Sequence, residues 1–207
     1  MAAASKAHFG PSPDYISKHR SQYPQSRTIL VTGATAGIGL AIADSLLSSP
    51  AQHLLILTGR KTDVLDGLRS KNPGRVIAKP GDMDDLTLPL LRAAKGRIVF
   101  TSSGAANTGY TSWGAYGASK AAMNHLAMTL KNEEPDVTSV SIRPGMVDTA
   151  MQGDIRDKYL QNMDEKDRGK FANAKKEGKL LPPEKPGHVI AELALRAEKE
   201  LSGLFLR

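Results

Sequence analysis

The chain has 207 residues, which is enough for one domain with a sizeable core but short for two. It contains no cysteine, so disulfides, thiolate catalysis and cysteine-ligated metals are excluded, and we predict no metal site. The formal charge is +7 at pH 7, but the basic residues are spread along the sequence and only 5% of the residues are aromatic, which argues against a nucleic-acid partner.

The first 26 residues differ in composition from the rest of the chain. They are rich in proline, serine and basic residues and contain a single acidic residue, Asp14. This composition leaves two interpretations open, a weak organelle-targeting leader or a flexible extension, and it favours a flexible extension over residues 1–26. No apolar run approaches the roughly 18 residues that a membrane span requires. We therefore predict no membrane association and a cytoplasmic location.

Short apolar runs alternate with helical patterns along the rest of the chain. In the first half, strands are predicted over 27–32, 53–58 and 75–79, and helices over 38–47 and 62–71. In the second half, strands are predicted over 97–101, 138–142 and 204–206, and helices over 116–131, 154–178 and 188–199. Strands that alternate with helices form parallel sheets through right-handed crossovers. Residues 27–207 are therefore predicted to form one α/β domain, with a doubly wound parallel sheet in three layers.

A glycine-rich loop joins the first predicted strand to the first predicted helix. Gly33, Gly37 and Gly39 allow the backbone to approach a pyrophosphate closely, and the start of the following helix offers it unpaired N–H groups. Thr35 and Ile38 complete the loop. Glycine also serves ordinary turns, but this loop follows a strand and opens a helix, which favours a dinucleotide-binding site.

Arg60 follows the second predicted strand, where the adenosine ribose of a dinucleotide would lie. An acidic residue there would accept hydrogen bonds from the ribose hydroxyls of NAD, whereas an arginine can pair with the 2′-phosphate of NADP. We therefore predict NADP(H) as the cofactor. The alternative, a solvated arginine at the end of a strand, stays open at this point.

Tyr116 and Lys120 are four residues apart on one predicted helix and therefore share a face. An ammonium group beside a phenol favours the ionised phenol and eases proton transfer. We predict that Tyr116 protonates the oxygen of a carbonyl substrate while a hydride reaches the carbon. Ser103, at the end of the preceding strand, would donate a hydrogen bond to the same oxygen. The alternative is a chance pair on an amphipathic helix.

These motifs, in this order, resemble those of the short-chain dehydrogenases/reductases, over nearly all of the chain after residue 26. The resemblance implies a Rossmann-type fold in which Ser103, Tyr116 and Lys120 are catalytic and Asp82 contacts adenine. It also implies a nicotinamide-binding segment, formed by Pro144, Gly145, Val147 and Thr149. Within the family, the sequence around Tyr116 is similar to the benzil reductases and sepiapterin reductases, which reduce small dicarbonyls or side-chain ketones with NADPH.

The chain departs from the family pattern between Asp82 and Ser103. The family has an Asn-Asn-Ala-Gly strand and a long helix with a catalytic asparagine there, and residues 89–96 resemble only the tail of that helix. On the order of 40 to 60 residues, one βα unit, are missing. The resemblance then implies a homodimer weakened by the loss of its usual interface helix. We hypothesise that strand 97–101 moves into the vacant place beside residues 29–31.

Two functions therefore remain open. The first is an NADPH-dependent reductase of a small ketone, aldehyde or dicarbonyl. The second is a shortened NADP-binding isoform or partner subunit with weak or no activity. The retained motifs favour the first function, and the missing unit favours the second.

Overall fold

The structure, a computed structural model, describes residues 13–80 and 87–207. The chain divides into two compact units, residues 1–86 and residues 87–207. Asp82, the predicted adenine contact, lies outside the described residues. The prediction that residues 27–207 form a single domain stays a prediction.

The first unit contains a three-stranded parallel sheet in the order β1-β2-β3. Its elements, in chain order, are α1 (Pro13–Gln22), β1 (Thr28–Val31), α2 (Gly37–Leu47), β2 (Leu54–Gly59), α3 (Thr62–Lys71) and β3 (Val76–Pro80). All six residues of β2 are buried, because the strand has a neighbour on each side. Every strand and helix predicted for this unit is present, and α3 has the predicted bounds.

The helix α1 lies inside the segment that the sequence predicted to be a flexible extension. The hydroxyl of Tyr15 donates to the carbonyl of Gly74 at 2.8 Å, and Nε2 of His19 lies 2.8 Å from the carbonyl oxygen of Gln52. These contacts join residues 59 and 33 positions apart in sequence. The sequence did not indicate this helix, because local composition does not reveal contacts over such distances, and the flexible extension over residues 1–26 stays a prediction.

The second unit contains another three-stranded parallel sheet, in the order β4-β5-β6. Its elements, in chain order, are α4 (Thr87–Ala94), β4 (Arg97–Thr101), α5 (Gly114–Glu133), β5 (Thr138–Ile142), α6 (Ala150–Asp154), α7 (Glu165–Lys176), α8 (Glu184–Arg196) and β6 (Phe205–Leu206). The strands β4 and β5 have the predicted bounds, and α8 begins four residues earlier than predicted. Pro186 fits in the first turn of α8, where a missing N–H leaves no hydrogen bond unmade.

The predicted helix over 154–178 is broken in the structure. After α6, a π-turn covers Ile155–Tyr159 and a 3₁₀ turn covers Leu160–Asn162 before α7 begins. The side chain of Asp164 caps α7 by accepting the N–H of Asp167 at 2.8 Å. A capping acid in the middle of a charged segment starts a new helix, which the charge pattern alone did not indicate.

The hypothesis that β4 takes the place beside β1 was wrong. Among the described strands, β4 pairs with β5 over all five residues, and β1 pairs with β2. The helix α4 ends three residues before β4, and its Arg92 forms two hydrogen bonds with Glu134 at the end of α5. The contact between Arg92 and Glu134 therefore holds the start of β4 within the second unit.

The α/β class with parallel strands is confirmed in both sheets. Within residues 13–80 and 87–207, no helix is both long enough and apolar enough to cross a membrane.

Candidate functional site

The glycine loop between β1 and α2 has the backbone shape that its glycines predict. Gly33 and Gly37 have φ angles of +65° and +53°, in the left-handed region that glycine adopts most readily. Gly39 is required for a different reason, since a Cβ there would lie 2.2 Å from the carbonyl oxygen of Gly33. The first turn of α2 thus packs directly on the loop, and a side chain at position 39 would force the two apart.

The loop is also fixed to the end of β2. The N–H of Ala34 donates to the carbonyl of Thr58 at 2.9 Å, and a Cβ on Gly59 would lie 2.6 Å from the methyl carbon of the buried Thr35. Ala36 occupies the N-cap of α2 and makes no side-chain cap. The N–H groups in the first turn of α2 are therefore not capped by a side chain. They lie next to a loop of small residues, an arrangement that suits a pyrophosphate.

Arg60 is exposed and directly follows the last residue of β2. Its position is set by Gly59, which packs on the glycine loop through Thr35. Ile38 lies half-buried in the first turn of α2. The first unit thus brings the predicted loop residues and Arg60 to the same end of its sheet, and these residues could hold the adenosine half of a dinucleotide.

In the second unit, Lys120 fastens α5 to the end of β4. Its Nζ donates to the carbonyl of Thr101 at 2.9 Å, while Oγ of Ser102 donates to the Lys120 carbonyl at 3.3 Å. Burial of the ammonium group lowers the pKa of Lys120. The lysine is therefore held between helix and strand by contacts on both its side chain and its backbone.

Tyr116 is half-buried one turn before Lys120, as the spacing predicted. The Lys120 ammonium lies 5.7 Å from the centroid of the Tyr116 ring. The Tyr116 ring also meets Trp113 edge to face, with centroids 5.3 Å apart and planes at 78°. The Tyr116 ring thus has a cation and a second aromatic ring as neighbours, and both restrict its orientation.

Ser103 caps the short 3₁₀ turn Gly104–Ala106 that follows β4. Its Oγ accepts the N–H of Ala105 at 3.2 Å, which leaves the hydroxyl proton free for donation to another acceptor. The same turn packs closely on α5, because a Cβ on Gly117 would lie 2.8 Å from the Ala105 carbonyl oxygen. The turn that carries Ser103 and the helix that carries Tyr116 are thus held together.

The segment after β5 also has a defined backbone. Gly145 has a φ of +84°, and Val147 is buried and forms a parallel bridge with Leu181. Thr149 stands at the N-cap of α6 without a capping hydrogen bond from its side chain. Together with Pro144, these residues form the predicted nicotinamide segment, in which the exposed Gly145 and the Thr149 hydroxyl could hold a carboxamide.

A cavity of about 340 Å³ lies in the second unit, and Ser103, Tyr116 and Lys120 are not among the residues that line it. Its walls are mostly small or apolar side chains, with two aromatic rings, and are formed by Ala105, Ala106, Asn107, Thr108, Gly109, Tyr110, Trp113, Gly114, Gly117, Ala118 and Ala121. The volume lies in the range typical of small-molecule sites. An apolar group of modest size would fit this cavity.

The sequence interpretation missed the aromatic residues around Tyr116. Trp113 contacts Phe171 at a centroid distance of 4.9 Å and Tyr110 at 5.4 Å, and Tyr110 meets Phe171 at 5.7 Å. Trp113 lies three residues before Tyr116, a spacing that indicates side-chain neighbours at a helix start. Phe171 is distant in sequence, and no local signal connects it with the site.

Comparison with known proteins places the chain among enzymes of one family. A family model described as short chain dehydrogenase matches residues 83–160. Over 128 residues the chain is 46% identical to the benzil reductase ((S)-benzoin forming) IRC24 of Saccharomyces cerevisiae, which covers 59% of this chain and 49% of that protein. The chain thus spans about half the length of that curated relative.

Two further relatives match most of the chain. The uncharacterized oxidoreductase C30D10.05c of Schizosaccharomyces pombe is 30% identical over 237 residues, covering 87% of this chain and 95% of that protein. The crystal structure of the KRED1-Pglu enzyme is 31% identical, with a TM-score of 0.82, and covers 87% of this chain and all of that one.

The alignment with the S. pombe relative is longer than the chain itself. Because 87% of 207 residues is about 180, about 57 of the 237 aligned positions have no residue in this chain. This number agrees with the predicted loss of one βα unit. The matched family model, the relatives and the fold together show that the chain belongs to the short-chain dehydrogenase/reductase family, oxidoreductases that use nicotinamide cofactors.

Proposed function

We propose that the chain reduces a small ketone or dicarbonyl with NADPH, using Ser103, Tyr116 and Lys120. The observation that carries this proposal is the packing of α5, which brings Tyr116 next to Lys120, against the turn that Ser103 caps. The similarity to a benzil reductase supports a dicarbonyl as the substrate class.

The residues would divide the chemistry between them. A bound nicotinamide nucleotide supplies the hydride. Ser103 donates its hydroxyl proton in a hydrogen bond to the substrate oxygen, which stabilises the charge that develops there. Tyr116 transfers its phenolic proton to the same oxygen, and the Lys120 ammonium stabilises the phenolate that remains.

Arg60 supports NADP(H) over NAD(H). It is exposed at the carboxyl end of β2, where it can reach the 2′-phosphate of a dinucleotide lying on the glycine loop. The proposal for the whole molecule includes a small carbonyl substrate, a weak homodimer and a cytoplasmic location. A solved yeast protein with 29% identity and a TM-score of 0.69 is itself described as cytoplasmic, which supports the last of these.

The test is the reduction of benzil by the purified chain with NADPH. Tyr116→Phe should abolish turnover and leave the dissociation constant for NADPH nearly unchanged, because only the phenolic proton is removed. Tyr159→Phe, at an exposed tyrosine, is the matched control and should keep the rate. Turnover by Tyr116→Phe at the unmutated rate would reject the mechanism.

The cofactor assignment is tested separately by binding. Arg60→Ala should weaken the binding of NADPH about 10- to 150-fold and leave the binding of NADH unaffected, since a charge-assisted hydrogen bond contributes about 1.5–3 kcal/mol. Arg69→Ala removes an exposed arginine of α3 and serves as the control. Equal affinities of the unmutated chain for the two cofactors would contradict the assignment.

A second function is favoured by one contact. The Lys120 ammonium donates to the Thr101 carbonyl, on β4 at the edge of its sheet, and this bond competes with any role at a substrate. The second proposal is therefore an NADP-binding protein with weak or no turnover. Tight NADPH binding without reduction of any dicarbonyl would favour it.

A further inference from the structure

The segment of residues 110–113, here termed the aromatic loop, ends three residues before Tyr116. The segment of residues 162–171, here termed the latch, includes the start of α7. All four residues of the aromatic loop contact the latch. These contacts join Tyr110 to Lys170 and Phe171, Thr111 to Asp164 and Asp167, Ser112 to Asn162, and Trp113 to Phe171.

The polar contacts are centred on Thr111. Its hydroxyl donates to Oδ2 of Asp164 at 2.9 Å, and its N–H donates to Oδ2 of Asp167 at 3.2 Å. Asp164 also caps α7, so the same carboxylate starts the helix and holds the loop. Next to this pair, the Lys170 ammonium donates to the Tyr110 hydroxyl at 2.6 Å.

The backbone of the aromatic loop needs these contacts. Ser112 has a φ of +68°, a left-handed conformation that is unfavourable for a residue with a side chain. Its hydroxyl donates to the Asn162 carbonyl in the latch. A strained conformation persists where surrounding contacts fix it, and here those contacts come from the latch.

Trp113 connects the aromatic loop to the candidate catalytic tyrosine. Its ring meets Phe171 of the latch at 4.9 Å and Tyr116 at 5.3 Å. Its carbonyl accepts the N–H of Gly117 at 2.7 Å, which ties it to the first turn of α5. A displacement of the latch would therefore move the Trp113 ring, and with it one of the surfaces that orient the Tyr116 phenol.

We propose that Trp113 is a positioning residue for Tyr116 and that the latch holds it in place through Thr111 and Phe171. This inference rests on the proposed reductase function for its catalytic consequence. The physical link from latch to Trp113 does not depend on turnover, and it can be measured without a substrate.

The first test uses fluorescence, because Trp113 is the only tryptophan in the sequence. Thr111→Val removes the hydroxyl that binds Asp164 and keeps the shape of the side chain. We expect the emission of Trp113 to shift to the red and its quenching by acrylamide to rise about twofold as the latch opens locally. Thr129→Val, the same change thirteen residues after Tyr116 on α5, is the control and should leave both unchanged.

The second test separates positioning from structure. With benzil and NADPH, Thr111→Val should lower kcat about tenfold, the effect of a small misplacement of a reacting group, and leave KM for NADPH unchanged. Trp113→Phe keeps an aromatic edge and should retain most of kcat, whereas Trp113→Leu should lose it while keeping a cooperative melting transition.

The outcomes distinguish the two proposals. If the unmutated chain shows no turnover, the reductase proposal fails, and the fluorescence of Thr111→Val still decides whether the latch holds Trp113. If Thr111→Val has the emission and quenching of Thr129→Val, the latch is overturned. If the fluorescence changes but kcat does not, or if Trp113→Leu is as active as Trp113→Phe, the positioning role is overturned.

Discussion

Of the neighbouring strands β4 and β5, the one with the more apolar sequence is the less buried. β4 contains the apolar run Ile98-Val99-Phe100, yet all five of its residues are only half-buried. β5 reads Thr-Ser-Val-Ser-Ile and is buried at all five positions. β5 has a strand on each side, whereas β4 is an edge strand of its sheet. Burial here is decided by neighbours, and β4 has the composition of an interior strand at an edge position.

The buried serines of β5 are compensated by hydrogen bonds. Oγ of Ser139 donates to the carbonyl of Ala127 at 2.7 Å, and Oγ of Ser141 donates to that of Leu204 at 3.3 Å. At the edge strand, by contrast, the Thr101 carbonyl accepts a lysine ammonium, and Oδ1 of Asn124, one turn after Lys120, is buried with no partner among the described residues. Both features are consistent with a missing neighbour beside β4.

Restoring that neighbour should have the largest effect. Residues 89–96, which resemble the tail of the family's long helix, begin inside α4, so a family-type strand and helix are best inserted before Thr87. Completing the burial of Ile98, Val99 and Phe100 would add about 3 kcal/mol. For a chain of this size, that raises the melting temperature by roughly 6–12 °C.

The control for this insertion is a glycine-serine segment of equal length at the same point. It should not raise the melting temperature, because it offers no apolar surface to β4. The family-type insertion should also raise the rate of benzil reduction, since a strand that donates to Thr101 would free Lys120 for the site. A melting temperature no higher than that of the control would contradict the idea that β4 lacks a neighbour.

A matched pair of valines tests the difference in burial between β4 and β5 directly. Val99 and Val140 are partners in the β4–β5 register, and Val140 is 1% exposed whereas Val99 is half-buried. Val140→Ala should lower the free energy of unfolding by about 2–3 kcal/mol, and Val99→Ala by about 1 kcal/mol. Urea unfolding of the two variants gives both values. Equal losses would show that β4 is as well covered as β5.

The elements were predictable wherever a local pattern determines them. The bounds of α3, β4 and β5 follow from apolar runs between proline, glycine and charged residues. The same residues could not show that β4 ends up half-buried, because exposure depends on which strands lie beside it. The helix α1 was missed for a related reason, since Tyr15 and His19 are held by contacts with distant residues.

In the candidate site, too, local patterns were predictable and contacts between distant residues were not. The spacing of Tyr116 and Lys120 and the left-handed glycines of the loop follow from short motifs. The bond from Lys120 to Thr101 and the packing of Phe171 on Trp113 do not, because each joins separate elements. A motif identifies which side chains carry the chemistry, and the three-dimensional packing determines what those side chains contact.

The smallest expected effect concerns the ion pair between Arg92, which precedes β4, and Glu134, which precedes β5. Arg92, in the last turn of α4 before β4, forms a bidentate pair with Glu134, which lies between α5 and β5. The hydrogen bond from Arg92 lowers the pKa of Glu134. The folded state therefore binds fewer protons at Glu134 than the unfolded state does over the interval between the two pKa values.

The sign of the pH dependence follows from that lowered pKa. The stabilisation is complete above the ordinary glutamate pKa and is lost as the pH falls through the lower folded value. Glu134→Gln should therefore reduce the melting temperature at pH 7 and leave it unchanged well below the folded pKa. Lys95→Ala, which removes a more exposed ion pair with Asp136, is the control and should have little effect at either pH. If Glu134→Gln shifts the melting temperature equally at both pH values, the charge pair does not hold α4 at the entrance to β4, and the strand is held there by its ladder with β5 alone.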